Sequence, residues 1–301
     1  MIHYVTARRM VPAMRDFLER AGRPLAKRLR IVSYPALFRA DWRELPRGAW
    51  IFTALGSDLG SFEPPSPARA AMARLHAFLV AREGAERVLN HPMRYLRRYA
   101  LLRALLERGI NDFAAWRAGD PFGAVRYPVF LRREQGSASA PLTLLHSRAE
   151  LDAALAALPS REGSILVEFS DTADASGIYR KYGAFVVGQR IVPRHVFFSR
   201  GWQVKRADLA GPAQIEEELA YLQTNPHERF LLEVSRLAGI SYGRIDYGLR
   251  AGRPQVWEIN VTPAILSPAA SESEAREPVT RHFVKSFAEA LAALEPGAAP
   301  A

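Results

Sequence analysis

A chain of 301 residues that is 49% hydrophobic and 24% charged has the makeup of a globular protein with room for two or three cores. The absence of cysteine excludes disulfides, thiolate metal sites and a cysteine nucleophile, and without a leader-like N-terminus or an apolar run of about 18 residues a cytoplasmic protein is expected. The net charge of +10 raises the question of nucleic-acid binding, but only four of the 41 basic residues are lysines and the arginines are scattered beside alanine and leucine, so an acidic small molecule such as a nucleotide suits the excess better.

Near the N-terminus, 29–34 (LRIVSY) and 49–55 (AWIFTAL) are short and apolar, which predicts buried strands with a loop at 41–48 between them. The Pro/Ser-rich stretch 61–68 is a break that leads into a helix over 68–83. After a brief strand at 87–89, Pro92 predicts the start of a helix that ends at a Gly109 cap. Residues 1–91 thus read as a small α/β domain.

A second unit, 92–169, contains strands at 126–132 (RYPVFLR) and 141–145 (PLTLL) around a polar loop of small residues, REQGSASAP. Ser147 caps a helix to about 158, with Glu150 completing a capping box. Residues 164–169 (SILVEF) form another strand. In the third unit, 170–301, strands at 179–187 and 190–198 turn at Gly188-Gln189, one long helix spans 212–238, and a helix over 277–294 closes the chain. The last six residues, rich in Ala and Pro, read as frayed.

Between those helices, 244–260 (RIDYGLRAGRPQVWEIN) predicts a β-hairpin. Alternation puts Arg244, Asp246 and Gly248 on one face, and Val256, Glu258 and Asn260 on one face of the partner strand. A three-residue turn centred on Gly252 sets Asp246 opposite Glu258 and Arg244 opposite Asn260, backed by Ile245, Tyr247, Trp257 and Ile259; a one-residue slip would undo this. Two carboxylates and an amide oxygen are hard donors suited to magnesium, which completes its shell with water and phosphate. The same face also reads as a solvated ion pair of Arg244 with Asp246 or Glu258.

R-x-D followed by E-x-N on the next strand resembles the metal signature of the ATP-grasp superfamily, which includes D-alanine–D-alanine ligase and glutathione synthetase. The stretch YPVFLRR resembles the strand that carries a phosphate-contacting lysine, with Arg132 in that place. REQGSASAP resembles the flexible loop over the phosphates, where Gly136 and Ser137 would offer backbone N–H groups. LVEFSD resembles the hinge that holds adenine, with Glu168 and Phe169 as its contacts, and Arg180 or Lys181 on the following strand would supply a second phosphate cation. Together with the Asn90–Pro92 linker, the resemblance covers about 210 residues. It implies an α/β fold with two α+β lobes around ATP and magnesium, and activation of a carboxylate as an acyl phosphate for attack by an amine or other nucleophile. The carboxylate would be an unidentified small molecule or peptide.

On this reading magnesium sits on Asp246, Glu258 and Asn260, and Arg244 steadies the acyl phosphate. Three departures stand out. Arg132 replaces a lysine, a planar fork in place of a point charge; the loop has a single glycine; and Gly183 occupies a position where many relatives carry arginine, which favours Lys181. Lys205 is either a ligand contact or a solvated lysine. His195 reads as structural rather than as a base, and Asp171 and Asp174 as ribose contacts or turn formers. The tryptophans read as core or rim, and Glu216, Glu217 and Glu218 as helix-dipole partners. A phosphotransferase, or a nucleotide binder that has lost catalysis, would carry the same motifs.

Overall fold

The computed structural model describes residues 1–7, 11–54, 67–135, 141–266 and 274–295. The first sheet is parallel and contains β1 (Ile2–Thr6), β2 (Leu29–Ser33), β3 (Ala49–Phe52) and β4 (Val88–Leu89), in the order β2-β1-β3-β4. β1 was not expected, because its stretch of mixed Ile, His, Tyr, Val and Thr forms no clean apolar run. It is nevertheless central, and every one of its residues is buried. Helices α1 (Val11–Ala21), α2 (Arg23–Ala26), α3 (Tyr34–Arg39) and α4 (Pro67–Glu83) make the crossovers that parallel strands require. The chain leaves β1 toward β2 on one side and β3 lies on the other, so the crevice outside their carboxyl ends is a switch point. There the N–H of Ala54 donates to Thr262 Oγ1 at 2.9 Å.

Asn90, in the left-handed region at φ 60°, joins this sheet to the rest of the chain. Its Nδ2 donates to the carbonyls of Phe52 (3.0 Å) and Tyr242 (2.8 Å), while its Oδ1 accepts from the N–H groups of Ser241 and Tyr242. The next helix, α5, spans Arg98–Glu107 and starts later than Pro92 predicts, because 91–97 forms turns. The second sheet is antiparallel, with β5 (Ala115–Arg117), β6 (Val129–Arg133) and β7 (Ser164–Glu168) in the order β5-β7-β6. The predicted strand at 141–145 is reduced to a single bridge between Val129 and Leu145. Helix α6 (Arg148–Ala156) has the expected cap, with Ser147 Oγ accepting from the N–H of Glu150 at 3.2 Å.

The third sheet contains β8 (Tyr179–Val187), β9 (Arg190–Ser199), β10 (Tyr242–Arg250) and β11 (Arg253–Asn260), in the antiparallel order β11-β10-β8-β9. The predicted long helix is two, α7 (Pro212–Thr224) and α8 (Glu228–Ala238). Asn225 at φ 44° ends the first, and Pro226 cannot continue it. Tyr221 of α7 packs edge-on against Tyr182, and its hydroxyl meets that of Tyr247 at 3.1 Å, so these helices cover the sheet face away from Asp246. The final helix, α9 (Glu277–Ala292), packs Phe283 and Phe287 against Phe185.

Candidate active site

The hairpin pairs as expected at its charged end, Arg244 with Asn260 and Asp246 with Glu258. The route to that register differs from the expectation. Arg250 pairs with Arg253, so the turn has two residues, Ala251 (φ 48°) and Gly252 (φ 78°), as a type I′ turn demands. A one-residue bulge at Trp257 then restores the offset. The bulge brings Trp257 onto the cleft side instead of behind the hairpin. Its indole lies 2.5 Å from where a Cβ on Gly248 would stand, so only glycine leaves room for the ring.

A cavity of about 370 Å³ opens between the second and third sheets, within the usual range for small-molecule sites. Apolar and aromatic side chains, Leu102, Phe113, Phe130, Phe169, Trp202 and Trp257, form part of its walls. Trp202 sits 5.2 Å from Phe130 and 5.4 Å edge-on from Phe169. Two of the five tryptophans therefore line the cleft, which the scatter of tryptophan along the sequence concealed. Charged side chains, Arg132, Lys181, Lys205, Asp246 and Glu258, also line it.

Asp246 and Glu258 each hold two cations. Asp246, fully buried, accepts from Arg244 at 2.7 and 3.0 Å and pairs with Lys181 at 2.9 Å. Burial alone would raise its pKa; Arg244 and Lys181 overcome this and hold the carboxyl well below its usual range. Glu258 pairs with Arg98 and, at 3.4 Å, with Arg132. Burial and the neighbouring Arg98 lower the pKa of Arg132. Four cations on two carboxylates leave a positive excess. The Nε groups of Arg98 and Arg132 are buried without hydrogen-bond partners among the described residues. Unpaired buried donors beside excess positive charge are suited to a polyanion.

Arg98 joins the site without having been expected there. From the first residue of α5 its guanidinium reaches Glu258 and also donates to the carbonyls of Arg133 (3.2 Å) and Glu134 (2.7 Å). No spacing signal marks it, because its partners lie 35 to 160 positions away.

Other expectations need correction. Arg180 points away from the cavity, since strand alternation sets it opposite to Lys181; it pairs with Asp174 (2.5 Å) and Glu217 (2.7 Å). Asp174 is a turn former, its Oδ1 accepting from the N–H groups of Ser176 and Ile178. Glu168 borders the cavity, but its carboxylate accepts the N–H groups of Ala114 (3.0 Å) and Arg126 (2.8 Å), one on each oxygen, which ties the ends of the second sheet together. Glu217 and Glu218 are more than dipole partners; Glu218 is buried with Arg276 at 2.5 Å. Arg244 and Asn260 flank the cavity without lining it, and Asn260 Oδ1 accepts from the N–H of Thr262 at 2.9 Å. Gly136 and Ser137 lie outside the described residues.

The donor chemistry fits magnesium. Asp246 and Glu258 face each other with hard oxygens, and no group of three His, Asp or Glu side chains able to hold a metal occurs among the described residues. Such a pair is completed by water and phosphate.

No protein-family model matches the chain, and no curated protein matches it in sequence. Solved structures do match. D-alanine–D-alanine ligase from Bacillus anthracis is 11% identical, with a TM-score of 0.53 over 97% of this chain and 96% of that one. The same enzyme complexed with ATP is 10% identical at a TM-score of 0.53, with the same coverage. An ATP-grasp RimK domain protein from Sphaerobacter thermophilus is 16% identical, with a TM-score of 0.52 over 97% of this chain and all of that one. The chain has the ATP-grasp fold. Its architecture of helices and three sheets is that of an α/β fold, and identities this low speak to the fold alone.

Proposed function

We propose that this protein is an ATP- and magnesium-dependent ligase that activates a carboxylate, on a small molecule or peptide, for attack by an amine or other nucleophile. The observation that carries this reading is what the cavity brings together: aromatic walls, and beside them two carboxylates each held by two cations, of which Arg132 and Lys181 line the cavity while Arg98 and Arg244 stand behind them. The fold shared with an ATP-bound ligase supports it. In this reading the boundaries fall at 1–91, 92–169 and 170–301, with the nucleotide between the last two.

Trp202 and Trp257 hold the base, and Phe169 fixes its depth. Arg98, Arg132 and Lys181 hold the phosphates, with Lys205 also in the cavity lining. Asp246 and Glu258 hold magnesium, and Asn260 stands beside them as a further oxygen donor. Bound magnesium supplies charge neutralisation across the phosphates. Arg244, fixed on Asp246 and within 3.4 Å of the Ala264 carbonyl, places a permanent cation where an acyl phosphate builds negative charge. Arginine at position 132 retains its charge throughout the working pH range and can grip two phosphate oxygens at once.

Isothermal titration with ATP, with and without magnesium, tests the binding half. Saturable binding strengthened by magnesium is expected, with that strengthening lost in Asp246→Asn/Glu258→Gln; an undiminished effect of magnesium in that double variant would refute the metal hairpin. ADP release stimulated by a carboxylate and a nucleophile together tests the ligase half. A stable phosphorylated product would select a phosphotransferase instead, and binding without turnover a silent nucleotide protein.

A further inference from the structure

On the cleft side of the third sheet, cross-strand partners form a row of Glu258, Asp246, Gly183 and His195. Lys181 and Phe197 are the next pair along that side of β8 and β9. Gly183 contributes no side chain, and the His195 ring leans into the gap. Its Cε1 and Nε2 both lie 2.5 Å from the position of a Cβ on Gly183. The ring is 2% exposed and stacks on Phe197 at 3.9 Å with planes 5° apart. Nε2, on the edge over Gly183, is buried with no hydrogen-bond partner among the described residues. Leaving such an atom unpaired is unfavourable, so it calls for a partner in another state of the site.

The neighbouring donors differ in what they can spare. Arg244 is committed through Nε and Nη2 to Asp246. Arg194 directs its Nε to the Ile265 carbonyl and its guanidinium over the Phe283 ring. Lys181 has three N–H groups, and its ion pair runs to Asp246. A metal bound at that oxygen would compete with Lys181 for it. We propose that His195 is a positioning residue for Lys181: its Nε2 accepts one ammonium N–H when Asp246 turns to magnesium, leaving the other two for phosphate. This rests on the magnesium–nucleotide reading above.

The test is isothermal titration of the full chain with the β,γ-imido analogue of ATP, with and without magnesium. His195→Phe keeps the stacking and removes the acceptor. It is expected to weaken binding about tenfold with magnesium and to leave metal-free binding unchanged. His195→Gln, which retains an acceptor, recovers part of the loss. Gly183→Ala, whose methyl displaces the ring, reproduces the defect. In the wild type the ¹⁵N signal of His195 Nε2 shifts on adding magnesium with the analogue but not with the analogue alone, and this readout together with Gly183→Ala decides the matter if His195→Phe does not fold. Equal losses with and without magnesium, no loss, or an unmoved ¹⁵N signal would overturn the proposal. Failure of the wild type to bind the analogue at all would overturn the nucleotide reading itself.

Discussion

Replacing Asp246 by Asn is the sharpest test of how the cluster of ion pairs around Asp246 and Glu258 is held together. The carboxylate is fully buried, and its partners Lys181 and Arg244 are 17% and 16% exposed. Asn preserves shape but removes the charge that balances both. Removing one partner of a buried pair costs about 3–5 kcal/mol; because Asn still accepts a hydrogen bond, about 3 kcal/mol is expected. With an unfolding entropy of roughly 2.1 cal/mol/K per residue over about 300 residues, that lowers Tm by about 5 °C. The control is Glu217→Gln, whose pair with Arg180 is partly solvated; it should cost less than about 1 kcal/mol, under 2 °C. Differential scanning calorimetry reads both. Inorganic triphosphate without metal should restore more of the Tm in Asp246→Asn than it adds to wild type, because an anion then replaces the missing carboxylate. An Asp246→Asn protein that melts within 1 °C of wild type would refute this account of the cation cluster.

Arg98→Gln should weaken binding of the magnesium-loaded ATP analogue about tenfold or more, through loss of a charge-assisted contact; titration that shows an unchanged Kd would remove Arg98 from the site. Gly248→Ala should drive Trp257 off the cleft wall and weaken nucleotide binding more than it lowers Tm, while quenching of Trp fluorescence by acrylamide rises. Glu168→Gln leaves only one oxygen for the Ala114 and Arg126 N–H groups, so it should lower stability by about 1–2 kcal/mol with no change in preference for ATP over GTP; altered preference would restore Glu168 as a base contact. Burial above all lowers the pKa of His3 and His91 from 6.5 to about 4. The folded state then binds fewer protons than the unfolded state between those values, so stability falls as pH drops from 6.5 toward 4. His3→Phe should flatten that slope in Tm measured against pH.

Patterns that reach only a few residues along the chain were legible in the sequence. The β8–β9 hairpin turned at Gly188-Gln189 where expected, Ser147 capped its helix, and the alternation in RIDYGL and VWEIN placed Asp246 against Glu258. The ATP-grasp resemblance rested on the order of such local motifs, and the fold agrees with it. The hairpin register came out right at its working end by a two-residue turn and a bulge, neither of which the alternation discloses. Tertiary structure alone decided the rest. It made β1 a central strand, split the helix at Asn225-Pro226, set Arg180 and Lys181 on opposite faces of one strand, and spent the carboxylate of Glu168 on backbone N–H groups. It also brought Arg98 from α5 and Trp202 from a distant loop to one cavity, and leaned His195 over Gly183. Sequence records what a residue can do with its near neighbours, through steric preference and periodicity. Which charges share a buried oxygen, and which polar atoms lack one, depends on packing between segments far apart in the chain, where desolvation sets the energies.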